Sequence, residues 1–215
     1  MFRIAFLGPP GAGKGTQAAL LAPVLGVPIV MPGALYRRAI ALGTPLGKQV
    51  ASVVESGAMV PNAITNAVIA QRLAEPDCAS GFILDGFPRE REQLDVLEQI
   101  KTPLTHAVLL VIDEQEIYRR LSDRLVCVCG LQFSRREMPV EPGNEAMCTA
   151  CDGTLTRRKD DDPERIARRI VHYHEQTEPV IAACRAQGVL AEVNGQQPAA
   201  AVQHDIRHAL GISEH

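Results

Sequence analysis

The 215-residue sequence has no tryptophan, five phenylalanines and three tyrosines. So thin a supply of flat rings excludes the aromatic platforms on which single-stranded nucleic acids stack. An excess of positive charge is also lacking. The formal net charge is −3, which argues against a general nucleic-acid binder, whose affinity rests on many phosphate contacts. No apolar run approaches the roughly 20 residues needed to cross a bilayer, so no membrane partner is expected. Residues 1–7 lead straight into a glycine-rich turn, and a secretory leader is not expected either. What is present, 46% hydrophobic and 22% charged residues, suits a chain that buries a real core. The length suits one large domain, or a core domain with small inserts. A cytoplasmic monomer is the expectation.

Short apolar runs occur at residues 3–7, 81–84, 107–112 and 189–193, and each stops at a glycine or a polar residue. The run at 107–112 is apolar throughout, as in a central strand covered on both faces. Helical patterns lie between the runs, the first from residue 13 to about 25. Alternating strands and helices argue for a parallel sheet with helices on both faces. Asp162-Pro163 supplies an N-cap followed by proline at the first helical position. Ile166, Ile170, Tyr173 and Thr177 then recur on one face, until Pro179 kinks or restarts the helix. Residues 31–60 lack a strand pattern, and residues 125–158 are loop-rich. Both read as inserts on the ligand-binding edge of the sheet.

Gly8-Pro9-Pro10-Gly11-Ala12-Gly13-Lys14-Gly15-Thr16 follows a strand and opens a helix. Glycines let the backbone turn tightly with its N–H groups pointing inward, where they hold phosphate oxygens. Lys14 adds a mobile positive charge for the outer phosphates, and Thr16 can serve a magnesium shell. The strict phosphate-loop pattern places Ser or Thr directly after the lysine; here Gly15 intervenes.

The form GxPGxGKGTQ resembles the adenylate kinase family. The resemblance is renewed by Asp85-Gly86-Phe87-Pro88-Arg89, by Arg158-Lys159-Asp160-Asp161 and by Arg169. It implies a five-stranded parallel sheet with helices on both faces, an acceptor-binding insert over residues 31–60 and a lid insert over 125–161. It also implies reversible phosphoryl transfer from ATP to AMP with Mg2+. By that similarity Gly11, Ala12, Gly13, Lys14, Gly15, Thr16, Arg120, Arg124, Gln132, Phe133 and Gly195 would hold ATP. Asp85 would organise the waters around magnesium. Pro32, Arg37, Ala58, Met59, Val60, Gly86, Phe87, Pro88, Arg89 and Gln93 would hold AMP, with Arg37 and Arg89 on its phosphate and Gln93 reading adenine. Arg158 and Arg169 would close on the transferring group. Arginine suits these roles because its planar fork grips phosphate in two places and stays charged. Arg91, Arg119, Arg157 and Arg168 read as solvated surface charges. Asp160 and Asp161 read either as acidic residues favoured at a helix start or as lid-hinge partners of arginines.

The acceptor segment departs from the family. Adenylate kinases usually show Ser-Thr-Gly-Asp where this chain has Met31-Pro32-Gly33-Ala34, and a lysine where it has Ala58. Proline offers neither an N–H nor a side-chain hydrogen bond. Two alternatives to an AMP kinase therefore stand beside it: a kinase for UMP or CMP, and a nucleotide-binding regulator with little turnover. Gln93 speaks against the first, because pyrimidine kinases of the family tend to carry Asn there.

Of six cysteines, four form two close pairs, Cys127-Val-Cys129 and Cys148-Thr-Ala-Cys151. Such paired spacing is a usual frame for structural Zn2+ held by four thiolates, and free or redox-active thiols are the alternative. Some bacterial adenylate kinases resemble this, with two C-x2-C pairs in the lid; the first pair here is one residue shorter. Cys78 and Cys184 stand apart as ordinary small residues.

Overall fold

The computed structural model describes residues 1–56, 58–127, 129, 132–136, 138, 146–157 and 161–212. Its strands are β1 (Phe2–Leu7), β2 (Ile29–Val30), β3 (Gly81–Asp85), β4 (His106–Val111), β5 (Arg124–Val126), β6 (Gln132–Ser134) and β7 (Leu190–Asn194). Its helices are α1 (Lys14–Leu25), α2 (Pro32–Ala41), α3 (Pro45–Ser56), α4 (Asn62–Leu73), α5 (Arg91–Gln99), α6 (Glu114–Ser122), α7 (Pro163–His172), α8 (Glu178–Ala186) and α9 (Ala199–Ala209). Five strands form one parallel sheet in the order β2-β3-β1-β4-β7, while β5 and β6 make a separate antiparallel pair.

Strand alternation divides the core into two layers. Ile4 and Phe6 of β1, Ile83 of β3 and Val108 and Leu110 of β4 pack with Ala18 and Leu21 of α1 and Val202 and Ile206 of α9. Their chain neighbours Ala5, Leu7, Phe82, Leu84, Ala107 and Leu109 face the opposite way, onto Ile69, Leu94, Leu97, Val180 and Cys184 from α4, α5 and α8. Each fully buried Leu, Ile or Phe contributes about 1.5–3 kcal/mol of apolar transfer energy, so both sheet faces anchor the strand ends firmly. Cys78 and Cys184 sit in this second layer.

The crossovers set the ligand edge. After β1 the chain runs to β2 and β3 on one side; after β3 it crosses β1 to β4 on the other. The strand order therefore reverses between β1 and β3, and open α/β sheets bind ligands outside the carboxyl ends at such a point. The register pairs Phe6 with Asp85, so the loops after Leu7 and after Asp85 leave side by side.

Two features differ from the sequence reading. β2 has two residues, too few for any periodic signal. After α7 the chain passes through a π-helical turn (Tyr173–Thr177) before α8 starts with Pro179 in its first turn. Ile166 and Ile170 thus pack on Ile117 and Leu121 of α6, whereas Tyr173 joins the main core. Among the described residues, no helix is long and apolar enough to cross a membrane.

Candidate active site

The loop after β1 is shaped by glycine. Gly13, the residue before α1, has φ 93 and ψ 12, a left-handed conformation that a side chain would strain. The loop wraps Lys14, whose Nζ donates to the carbonyls of Gly8 and Pro9 at 2.7 Å each. Burial lowers the Lys14 pKa to about 8; the negative charge of Asp85 opposes that shift, and the positive charges of Arg89, Arg169 and Arg124 add to it. A Cβ on Gly15 would lie 3.1 Å from Asp85 Oδ2. The departure from Ser or Thr after the lysine thus leaves the Asp85 carboxylate unobstructed beside the lysine. Thr16 is exposed at the start of α1.

Arg124 opens β5, where the chain leaves the sheet. Its Nε donates to Asp161 Oδ2 at 2.7 Å, its Nη2 to Asp161 Oδ1, and its Nη1 to Gln132 Oε1 at 3.3 Å. Arg169, on α7, donates to the same Asp161 Oδ1 at 3.1 Å. The Asp161 side chain is 1% exposed, so one buried carboxylate holds two arginines beside Lys14. Gln132 and Phe133 lie on β6, with Phe133 against the small core of Leu125 and Leu155.

Arg120 is fixed from three directions. Its Nε donates to Glu116 Oε1 at 2.7 Å, and its Nη2 to Gly195 O at 2.8 Å; its Nη1 reaches Ala12 O at 3.4 Å. Glu116 is lowered to a pKa of about 2, first by its hydrogen bond from Arg119 and then by that from Arg120. Arg120 therefore joins the phosphate loop to the loop after β7. Arg91, Arg119 and Arg168 pair with helix neighbours at the surface, and Arg157 donates to Ser122 O.

On the acceptor side Pro32 is buried at the start of α2 and supplies no capping group. Arg37 lies on the exposed face of that helix with its guanidinium near Gly33, and Ala34 is half-buried. Tyr36, Val50 and Val60 form a small core joining α2 and α3, with Tyr36 donating to Thr65 at 2.8 Å. Ala58 is exposed and Met59 is 41% exposed; Arg89 Nη1 reaches Met59 Sδ at 3.5 Å. Arg89 Nε donates to Gly86 O at 3.0 Å, and Phe87 and Pro88 are buried beneath it. Gln93, 2% exposed, accepts from Arg89 N at 2.8 Å and donates to Asn62 Oδ1 at 2.7 Å. Thr177 donates to Arg89 O at 3.0 Å, tying this loop to the π-helical turn.

The four paired cysteines meet. All four sulfurs lie within 4.8 Å of one another, with Cys127–Cys151 at 3.3 Å and Cys129–Cys148 at 3.7 Å. A zinc ion with tetrahedral Zn–S bonds of about 2.3 Å spaces its sulfurs about 3.8 Å apart, so the donor set fits. The N–H groups of Ala150 and Cys151 aim at Cys148 and lower its pKa to about 7, favouring the thiolate that binds metal.

Arg158, Lys159 and Asp160 lie outside the described residues. The sequence reading did not single out Glu116 or Asn62, and it read Thr177 only as part of a recurring helix face. Glu116 was visible as an acidic residue four before Arg120 on one helix, whereas Asn62 and Thr177 carry no local signal for their partners and find them only in the fold.

A family profile described as adenylate kinase matches residues 6–189. The chain is 40% identical over 213 residues to the adenylate kinase of Desulfitobacterium hafniense, covering 97% of both chains. It is 40% identical over 215 residues to that of Symbiobacterium thermophilum, covering 98% of this chain and 99% of the relative. With that of a Geobacter species it shares 41% identity over 209 residues, covering 95% and 97%.

Proposed function

The chain belongs to the adenylate kinase family, and from that membership we propose how its residues divide the reaction. The enzyme is a nucleoside monophosphate kinase that moves the terminal phosphoryl group of ATP onto AMP, reversibly, giving two ADP.

ATP lies with its phosphates over Gly11, Ala12, Gly13, Lys14, Gly15 and Thr16, where loop N–H groups face the oxygens. Arg120, Arg124, Gln132, Phe133 and Gly195 complete the donor site. AMP lies between residues 31–60 and the loop after β3, its phosphate gripped by Arg37 and Arg89. Pro32, Ala58, Met59, Val60, Gly86, Phe87, Pro88 and Gln93 surround its ribose and base. An AMP phosphate oxygen attacks the γ-phosphorus in line, the bond to the departing ADP oxygen breaks, and the protein forms no covalent bond. Its work is positioning and charge neutralisation. Lys14 exchanges the Gly8 and Pro9 carbonyls for phosphate oxygens, while Arg124, Arg158 and Arg169 meet the charge on the equatorial oxygens. Magnesium carried in with ATP would be held by Thr16 and through waters on Asp85, and would supply charge neutralisation to the transferring phosphoryl group. Residues 125–161 act as the lid, with structural zinc on Cys127, Cys129, Cys148 and Cys151.

One observation carries this division. Asp161 holds Arg124 and Arg169 together, and Lys14 feels both charges along with those of Asp85 and Arg89. Three segments distant in the chain, around residues 85–89, 124 and 161–169, thus converge on the phosphate loop. A coupled assay of ATP against AMP, UMP, CMP and GMP tests the assignment, and AMP is expected to be preferred. Preference for UMP or CMP would move the enzyme to the pyrimidine kinases. No turnover with any of the four would leave a nucleotide-binding regulator. The net charge of −3 and a thiol cluster suited to a reducing compartment support a cytoplasmic protein without nucleic-acid partners, which we read as a membrane-independent monomer.

A further inference from the structure

Gln93 is buried with both ends of its amide engaged. Its Oε1 accepts from Arg89 N at 2.8 Å, and its Nε2 donates to Asn62 Oδ1 at 2.7 Å. Asn62 opens α4, 31 residues away, and turns its Nδ2 to the carboxylates of Glu90 at 2.7 Å and Glu92 at 3.3 Å. The polarity of this relay is forced from both ends, because a carboxylate only accepts and a backbone N–H only donates. Asn62 must give its NH2 to the glutamates, so its oxygen faces Gln93. Gln93 must then give its NH2 to Asn62 and its oxygen to Arg89 N. Turning the Gln93 amide over would set NH2 against N–H at one end and oxygen against oxygen at the other.

Each end of that amide keeps one function in reserve, a lone pair on Oε1 and a hydrogen on Nε2. Adenine presents a donor at N6 beside an acceptor at N1, which such an amide complements. A 6-oxopurine presents the inverse, an acceptor at O6 beside a donor at N1, and would fit only a turned amide. The geometry points to Asn62 as a positioning residue that selects 6-aminopurine over 6-oxopurine acceptors by locking the orientation of the Gln93 amide. This rests on the reading that Gln93 faces the acceptor base.

The test compares kcat/KM for AMP with that for inosine monophosphate, at fixed ATP, in the full-length enzyme. Asn62→Leu removes the acceptor that orients Gln93, and the AMP-to-IMP ratio is expected to fall about tenfold, the scale of one hydrogen bond. KM for ATP should not move. Asn62→Asp combined with Glu90→Gln and Glu92→Gln still offers Gln93 an acceptor, now held by amide donors in place of the carboxylates, and should restore the ratio to within about twofold. Should Asn62→Leu not fold, the pair Glu90→Gln and Glu92→Gln leaves Asn62 in place but gives its partners donors. That exchange should lower the ratio in the same sense. Gln93→Leu separates the two readings. If it leaves the ratio unchanged, Gln93 does not meet the base and the inference falls with that reading. If it narrows the ratio while folded Asn62→Leu, or the paired Gln variant, does not, the relay alone is overturned. A parallel rise in both KM values at constant ratio, marking a purely structural role for Asn62, overturns it too.

Discussion

Asp161 receives Arg124 through one edge of the guanidinium, Nε to Oδ2 at 2.7 Å and Nη2 to Oδ1. The same Oδ1 also accepts from Arg169 at 3.1 Å, and the aspartate side chain is 1% exposed while that of Arg124 is 13% exposed. The carboxylate is thus the common anchor of one arginine at the entrance to residues 125–161 and another on α7. Removing one partner of a buried ion pair costs about 3 kcal/mol, because the other charge is left uncompensated. Asp161→Ala should therefore lower the melting temperature by roughly 6–12 °C. It should also lower kcat more than it raises KM for either nucleotide, as follows if the arginines act at the transition state as proposed. Calorimetry and steady-state kinetics on one preparation check both parts.

Lys14 carries its charge against a burial penalty, which holds its pKa at about 8 instead of 10.5. Between those values the unfolded chain binds the proton that the folded chain has released. Stability conferred at this position therefore rises with pH from about 8 to 10.5, and below 8 the penalty is present in full. Lys14→Met should raise the melting temperature at pH 7 while lowering kcat by at least roughly a hundredfold, the cost of losing one preorganised charge. In the unaltered enzyme kcat/KM for ATP should fall as pH rises through about 8. The kcat profile should be flatter there, because bound phosphate favours the ammonium.

The four-cysteine knuckle encloses only a small apolar cluster, Leu125, Leu155 and their neighbours. Metal ligation should supply much of its stability. Protein purified without added metal should carry close to one zinc per chain by elemental analysis. Chelation, or Cys148→Ser, should lower the melting temperature and expose residues 125–157 to protease before the sheet. A metal-free chain whose melting is indifferent to chelator would show that these are plain thiols.

Pro32 is buried where the family usually presents a threonine hydroxyl, and Ala34 stands where it usually presents an aspartate. A missing neutral hydrogen bond typically costs about 0.5–1.5 kcal/mol, up to roughly tenfold in binding. Pro32→Thr should lower KM for AMP by up to that factor with little change in kcat, the mark of a contact made equally in ground and transition states. KM for ATP should stay put. An unchanged AMP KM in the folded variant means the hydroxyl was not the missing contact.

What could be read in advance follows from the range of the interactions involved. The parallel sheet was legible because its apolar runs are separated by helix-length segments, and the phosphate loop because its residues are contiguous. β2 was not, since Ile29 and Val30 are too few to show a period. The cysteine spacing indicated a cluster but not that Cys127 would lie 3.3 Å from Cys151 and Cys129 3.7 Å from Cys148. The Asp161 pairs were half legible: an arginine partner was expected from the motif, but Arg124 is 37 residues away. Asn62 carried no signal of its own in the sequence, and only the packing of α4 on α5 gives it Gln93 as a partner.

The π-helical turn between α7 and α8 has a further consequence, which concerns angle. An α-helix turns through about 100° per residue, so two segments of one rod share a single bearing unless something breaks it. Here the N–H of Glu178 bonds back to the carbonyl of Tyr173, five residues earlier, and that surplus residue rotates everything beyond it. Ile166 and Ile170 can then face α6, while Val180, Ile181 and Cys184 face the sheet. Side-chain exchanges in Tyr173–Thr177 leave this offset intact. Losing a single residue from the segment would swing one half of the rod off its bearing, carrying Asp161 and Arg169 away from Arg124 or Thr177 away from Arg89. The bearing of the two halves is therefore set by the count of residues in this stretch, while Tyr173 and Thr177 also hold it by their side chains.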